Sequence, residues 1–186
     1  VNINSGSMNF AGVKAVAEHM MPLFEAIGFD VRWEDGSAFG RAGHLVAELR
    51  GGGEGPKILL IGHLDTVFEP SSPFQEFRRL ENDRASGPGI TDMKGGNFIM
   101  LQALRALNDV GLLAEMDITV VLTGDEELSG DPLALSKKAI TDAAEYADIA
   151  IGFEDGDGND ATANISRRGA SGWLLEVTGT PAHSSQ

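Results

Sequence analysis

What most constrains this chain is an alternation. The short apolar runs ILLIG (58–62), ITVVLTG (118–124) and IAIGF (149–153) are separated by two segments with helical patterning. GGNFIMLQALRALNDVG (95–111) places Ile99, Leu101, Ala103, Leu104 and Leu107 on apolar faces. DPLALSKKAITDAAEYA (131–147) opens with Asp131 as an N-cap and Pro132 at the first helical position. Strands joined through a helix run parallel, because the crossover returns the chain to the same end of the sheet. Apolar runs without polar alternation belong in sheets covered on both faces. The expected fold is therefore α/β, with a mostly parallel central sheet between helical layers. Upstream, Val13, Val16, Met20, Phe24 and Ile27 recur at steps of three and four, predicting an amphipathic helix over 9–27, kinked at Pro22 and closed by Gly28. FDVRW (29–33) and 45–49 read as further strands, and RGGGEGP (50–56) as a turn cluster.

Each of the three apolar runs ends in charge. The first delivers His63 and Asp65, the second delivers GDEE (124–127), and the third delivers Glu154 and Asp155. Ligands of open α/β sheets bind outside the carboxyl ends of the strands, so these groups are expected to converge on one crevice. Asp92 joins them from the glycine-rich loop GPGITDMKGG (87–96), ahead of a helix. There is no cysteine, so disulfides and thiolate metal sites are excluded. The donor set is one imidazole and several carboxylates, which suits zinc and is acceptable to manganese or cobalt. A formal net charge of -14 argues against nucleic acid or an anionic membrane as partner. No run approaches the roughly 18 apolar residues of a membrane span. The chain opens on VNINSGSMNF rather than a methionine, so a leading segment is expected to have been trimmed, and both cytoplasm and bacterial periplasm stay open as locations.

Taken singly, each motif has an ordinary structural reading. The histidine of GHLD can be a hydrogen-bonded core residue, DMKGG a capped loop entering a helix, and DEE a solvated acidic turn. GFEDGDGND resembles a calcium loop, but it lacks the glutamate that closes an EF-hand and its flanks read as strands. The joint occurrence of these motifs, each at a strand end or a helix entrance, favours a shared metal site.

GHLDTV, GPGITDMKGG, TGDEELSG, GFED and GTPAHSS resemble, in order and spacing, the zinc exopeptidases that include glutamate carboxypeptidase, acetylornithine deacetylase, succinyl-diaminopimelate desuccinylase and the aminoacylases. HLDTVF and GPGITDMKGG are most similar to the glutamate carboxypeptidase branch. The resemblance implies a three-layer catalytic domain over 1–168. It also implies the beginning of an inserted α+β lid and dimerisation domain over 169–186, with the remainder and a distal histidine ligand lying beyond the chain. It implies two zinc ions: His63 and Glu154 on the first, Glu127 on the second, Asp92 bridging both through a cis peptide bond to Met93. Asp65 would orient the His63 imidazole. Glu126 would be the general base, and His183 would polarise the substrate carbonyl in the partner subunit's site. Two departures stand out: Asp155 where that branch tends to proline, and HSSQ where a glycine usually follows the histidine. Arg167 and Arg168 offer an anion contact or a solvated pair at a strand end, and Trp173, Leu175 and Val177 alternate as in a strand.

The expected activity is metal-dependent amide hydrolysis releasing an amino acid from a small peptide or N-acyl amino acid. A carboxypeptidase acting as a homodimer comes first and an N-acyl-amino-acid deacylase second. A non-catalytic metal-binding or assembly module and an acidic calcium-binding domain are the alternatives from other classes.

Overall fold

The computed structural model describes residues 1–159, 161–166, 169 and 173–180. They fall into two units, Val1–Asp155 and Gly156–Gln186. In the first unit, helix α1 (Phe10–Glu25) is started by Asn9, whose side chain accepts the Gly12 amide, and it runs through Pro22 as one element. Strands β1 (Asp30–Asp35), β2 (Gly43–Arg50) and β3 (Lys57–His63) follow. A small hairpin, β4 (Arg78–Arg79) and β5 (Ala85–Ser86), precedes a π-type turn at Ile90–Lys94 and helix α2 (Gly95–Asp109). Strand β6 (Asp117–Thr123), the short helices α3 (Leu133–Ser136) and α4 (Lys138–Tyr146), and strand β7 (Ile149–Gly152) complete it.

The five long strands form one sheet in the order β1-β2-β6-β3-β7. Pairing is parallel between β6 and β3 and between β3 and β7, and antiparallel on both sides of β2. Four strands therefore point the same way and β2 alone is reversed, which fits the expected mostly parallel sheet. The two extended runs flanking RGGGEGP are not neighbours, because β6 is inserted between them. Alternation sorts the central strands: Leu60, Val120 and Leu122 pack with Val13, Phe24, Met100, Leu101 and Leu104 from α1 and α2, while Leu59 and Val121 pack against Ala143 of α4. The sheet is thus sandwiched between helices, and the carboxyl ends of β3, β6 and β7 share one edge.

Four local expectations need correction. Residues 131–147 are not one helix: the Asp131–Pro132 bond is cis, Pro132 rather than Asp131 is the N-cap, and the helix breaks at Lys137. The break has a cause, since Ser136 and Lys137 both turn their side chains to Asp125. Ile99 is exposed, because the buried face of α2 is Met100, Leu101 and Leu104. IAIGF does not form a buried strand among the described residues, where β7 ends the strand order and Ile149 and Ile151 are exposed. Residues 173–180 have no strand pairing among the described residues, and alternation without a partner strand does not define a strand.

In the second unit, Asp157 closes a turn: its Oδ1 accepts Thr162 Oγ1 at 2.6 Å and the Asn159 amide at 3.0 Å. Arg167, Arg168 and His183 lie outside the described residues.

Candidate metal centre

His63 ends β3 and is buried, at 1% exposure. Its place is set from behind. Asn97, in the first turn of α2, donates to the His63 carbonyl at 2.6 Å, and the His63 amide donates to Met93 Sδ at 3.2 Å. The approach needs glycine at 62, where a Cβ would lie 2.2 Å from Asn97 Oδ1. Around the ring, Nδ1 lies 3.0 Å from the Asp65 carbonyl oxygen and 3.5 Å from Asp65 Oδ1. Both are acceptors, so Nδ1 carries the proton. Nε2 then faces Asp92 Oδ1 at 2.8 Å and Glu154 Oε1 at 3.3 Å.

That environment fits a cation. Burial alone lowers the His63 pKa, but Asp65, Glu154 and Glu126 outweigh it and raise it to about 9. The carboxylates around Nε2 thus favour positive charge there, and a divalent ion satisfies them as a proton does. Two groups bring ligand atoms within 4.8 Å of one another: His63 with Asp92 and Glu154, and His63 with Glu126 and Glu127. An oxygen-rich set with one imidazole matches zinc, manganese or cobalt chemistry.

The loop that brings Asp92 in starts at Gly89, whose φ of 71° is open to glycine at little cost. The Asp92–Met93 peptide bond is cis, as the resemblance implied. Met93 is fully buried beneath it, and Lys94 reaches the Ile3 carbonyl at 2.8 Å. Burial lowers the Lys94 pKa to about 8.

Asp65 is fully buried and works on two strand ends at once. Its Oδ1 accepts the Glu126 amide at 3.1 Å, and its Oδ2 accepts the Glu127 amide at 3.1 Å and Ser7 Oγ at 2.7 Å. Burial pushes its carboxyl up, yet the contacts from His63, Ser7 and the Glu126 amide hold it below the usual value. Glu127 moves the other way: partial burial and then the charge of Asp92 raise it. Glu126 is exposed, and Glu127 partly so.

Asp125, in the same acidic run, faces inward. It accepts the Gly130 amide at 2.9 Å, Ser136 Oγ, and Lys137 Nζ at 3.0 Å. Behind it, His44 Nδ1 accepts the Gly124 amide at 3.2 Å, so Nε2 bears the proton and donates to the Ser136 carbonyl at 2.9 Å. The structure therefore brings together His63, Asp65, Asp92, Glu126, Glu127 and Glu154. Sequence reasoning missed Ser7, Asn97 and the Asp125 cluster. Only Asn97 left a signal, as a polar residue on the buried side of an amphipathic helix.

A family model described as Peptidase family M20/M25/M40 matches residues 59–167, more than half of the chain. Carboxypeptidase G2 of Pseudomonas sp. (strain RS-16) is 30% identical over 183 residues, covering 98% of this chain and 43% of that protein. A putative succinyl-diaminopimelate desuccinylase of Mycobacterium tuberculosis is 35% identical over 135 residues, covering 70% of this chain and 34% of that one. The chain thus spans less than half the length of these relatives. Among solved structures, an M20 family metallo-carboxypeptidase from Sulfolobus solfataricus aligns with a TM-score of 0.65 at 22% identity, covering 83% of this chain and 35% of that one. Human carnosine dipeptidase 1 aligns at 0.66 and 17% identity, covering 81% and 36%. At those identities the likeness establishes the fold.

Proposed function

Because this chain belongs to peptidase family M20/M25/M40, we propose that the whole protein is a metal-dependent hydrolase that cleaves an amide bond, releasing an amino acid from a small peptide or N-acyl amino acid. The observation that carries this reading is the setting of His63, with one ring nitrogen engaged by Asp65 and the other faced by Asp92 and Glu154. His63, Asp92 and Glu154 would hold one divalent ion, and Asp92 with Glu127 a second; zinc is preferred, with cobalt or manganese accepted. When bound, such ions lower the pKa of water and polarise an amide carbonyl.

The chain's own residues supply the proton transfers. Glu126 is exposed at the strand end beside Glu127, and its role is to take a proton from the attacking water and pass it to the departing nitrogen. Asp65 fixes the His63 tautomer and, through the two amides it accepts, the path of the chain at Glu126 and Glu127. The name of carboxypeptidase G2 supports release of a C-terminal amino acid, and those of the desuccinylases keep deacylation as the second reading. Residues 169–186 begin the lid and dimerisation domain in this reading, with His183 polarising the substrate carbonyl across a homodimer.

The test is made on the full-length protein, stripped of metal and reloaded with zinc, cobalt or manganese. C-terminal glutamyl peptides are expected to be hydrolysed faster than N-acetyl amino acids. The reverse order would establish the deacylase, and metal binding without hydrolysis of either would sink the enzyme reading.

A further inference from the structure

Asp92 and Glu127, the two carboxylates proposed for the second ion, both line a cavity of about 440 Å³ walled by residues 67–89, between β3 and the π-type turn. Small-ligand sites span about 300–1,000 Å³, so the space suits part of a substrate. Val67, Phe68, Phe74 and Leu80 give it an apolar wall. Val67, Phe74 and Leu80 are 64%, 38% and 48% exposed, so this wall has apolar surface still to bury. The N-terminal segment and ring packing hold it in place. Asn4 Nδ2 donates to the Phe68 carbonyl and to Gln75 Oε1, both at 2.8 Å, and the Phe77 amide donates to Asn2 Oδ1 at 2.9 Å. Phe68 and Phe74 meet edge to face with centroids 5.1 Å apart. The β4–β5 hairpin is closed by the Leu80 amide on the Arg84 carbonyl at 2.9 Å. Arg79 pairs with Ala85, so Leu80 stands opposite Arg84 and the two share one face.

Amide hydrolysis fixes which part of a peptide meets this wall. The scissile carbonyl has to reach the ions, and the residue that owns it branches into its side chain at the next carbon. Glu126, the proton donor to the departing nitrogen, lines a different cavity together with Glu154 and Ser129. The departing amino acid therefore lies on that side, and the residue before the scissile bond lies on the side of Asp92 and Glu127. Its side chain then enters the cavity walled by Val67, Phe68, Phe74 and Leu80. Arg84 lines the same cavity. Arg78, on the same hairpin, is paired with Glu76, whereas Arg84 makes no ion pair or side-chain hydrogen bond among the described residues. An unpaired guanidinium repels a second cation, so a basic side chain is turned away.

We infer that the 67–89 cavity selects the residue before the scissile bond, favouring a large apolar side chain and rejecting a basic one. This rests on the hydrolase reading above, so its test needs a measurement that does not depend on turnover. Leucyl-glutamate and alanyl-glutamate differ only in the side chain at issue; norleucyl-glutamate and lysyl-glutamate carry side chains of similar length that differ in terminal charge. Binding of the four is measured on full-length, zinc-loaded Glu126→Gln protein, and hydrolysis on the protein with Glu126 intact. Leucyl-glutamate is expected to bind at least about 10-fold more tightly than alanyl-glutamate, since even one methylene in an apolar pocket is worth about that much. Phe74→Ser and Leu80→Ser, both at exposed positions and so no threat to folding, should each shrink that ratio. Lysyl-glutamate should bind at least about 10-fold more weakly than norleucyl-glutamate, and Arg84→Ala should narrow the gap. Equal binding of the leucyl and alanyl peptides, a ratio that both serine variants leave intact, or no binding of any of the four would overturn the inference. So would a lysyl peptide bound as tightly as the norleucyl one, or a gap between them that Arg84→Ala leaves untouched. Selective binding without hydrolysis of any of the four would overturn the hydrolase reading and leave this one standing.

Discussion

Asp65 and Asp125 are both fully buried carboxylates, placed just beyond the ends of the adjacent parallel strands β3 and β6, yet they do opposite jobs. Asp65 spends its acceptors on His63, on Ser7 and on the amides of Glu126 and Glu127, all of them parts of the site or its immediate support. Asp125 accepts from Gly130, Ser136 and Lys137, and so pins the chain that leaves the site to the helices behind it. Burial forces both to find partners. What separates them is that the partners of Asp65 include the candidate ligand His63 and the amides of Glu126 and Glu127, whereas the partners of Asp125 include none of these.

The sharpest way to break this comparison is Asp65→Ala. It strips the counter-charge from the buried His63 ring and leaves two strand-end amides without an acceptor. Loss of one partner of a buried pair costs about 3–5 kcal/mol. Urea unfolding of the full-length protein should show that loss together with loss of tightly held metal. A stable variant with normal metal content would mean that Asp65 is as remote from the site as Asp125.

Next in size is the pair that Asp65 holds. Glu126→Gln is expected to reduce kcat by about 10²–10⁴-fold, the range for loss of a general acid or base, with metal content near normal. Glu127→Gln should instead release metal. The measurement is kcat beside metal per chain on each variant. Similar behaviour of the two would dissolve the division of labour between neighbouring glutamates.

Asp125→Asn comes third. Asn keeps the shape but places an amide NH₂ where one oxygen meets donors, and it removes the charge that faces Lys137. A charge-assisted hydrogen bond is worth about 1.5–3 kcal/mol, and the lower half of that range is expected because Lys137 is 29% exposed and can rehydrate. Metal content should stay normal at temperatures where the variant is folded. Metal loss from a fully folded Asp125→Asn protein would move Asp125 to the side of Asp65.

The same pair shows what a sequence can and cannot disclose. His63 and Asp65 are two residues apart at the end of an apolar run, so their shared job is legible locally. Asp92, Glu126, Glu127 and Glu154 are legible once the runs are read as parallel strands, because topology carries their loops to one edge. Asp125 sits in the same acidic run and looks identical in one dimension; its inward turn depends on Ser136 and Lys137, which helical periodicity assigned to an unbroken helix. Ser7 lies 58 residues before its partner Asp65 and has no motif of its own. The exposure of β7 was illegible for a related reason: IAIGF has a buried-strand composition, and only the strand order of the described residues places it at their edge.

The smallest expected effect belongs to Ser136→Ala. Ser136 is fully buried at the end of α3, and its hydroxyl is one of three donors to the Asp125 carboxylate. Alanine deletes the oxygen without adding volume, and Asp125 keeps the Gly130 amide and the Lys137 ammonium, so no charge is stranded. The cost is expected at about 1.5 kcal/mol, the bottom of the range for a bond to a charged group. It should appear as a lower urea midpoint with an unchanged slope. The His44 bond goes to the Ser136 carbonyl, which the substitution leaves in place, so the helix break at Lys137 should persist. Hydrolysis and metal content of the folded variant are expected to match the parent, because nothing that faces Nε2 of His63 has moved. A tenfold fall in kcat at full stability would show that the Asp125 cluster sets the geometry of Glu126 as directly as Asp65 does, and the two aspartates would then have to be read as the two jaws of one clamp.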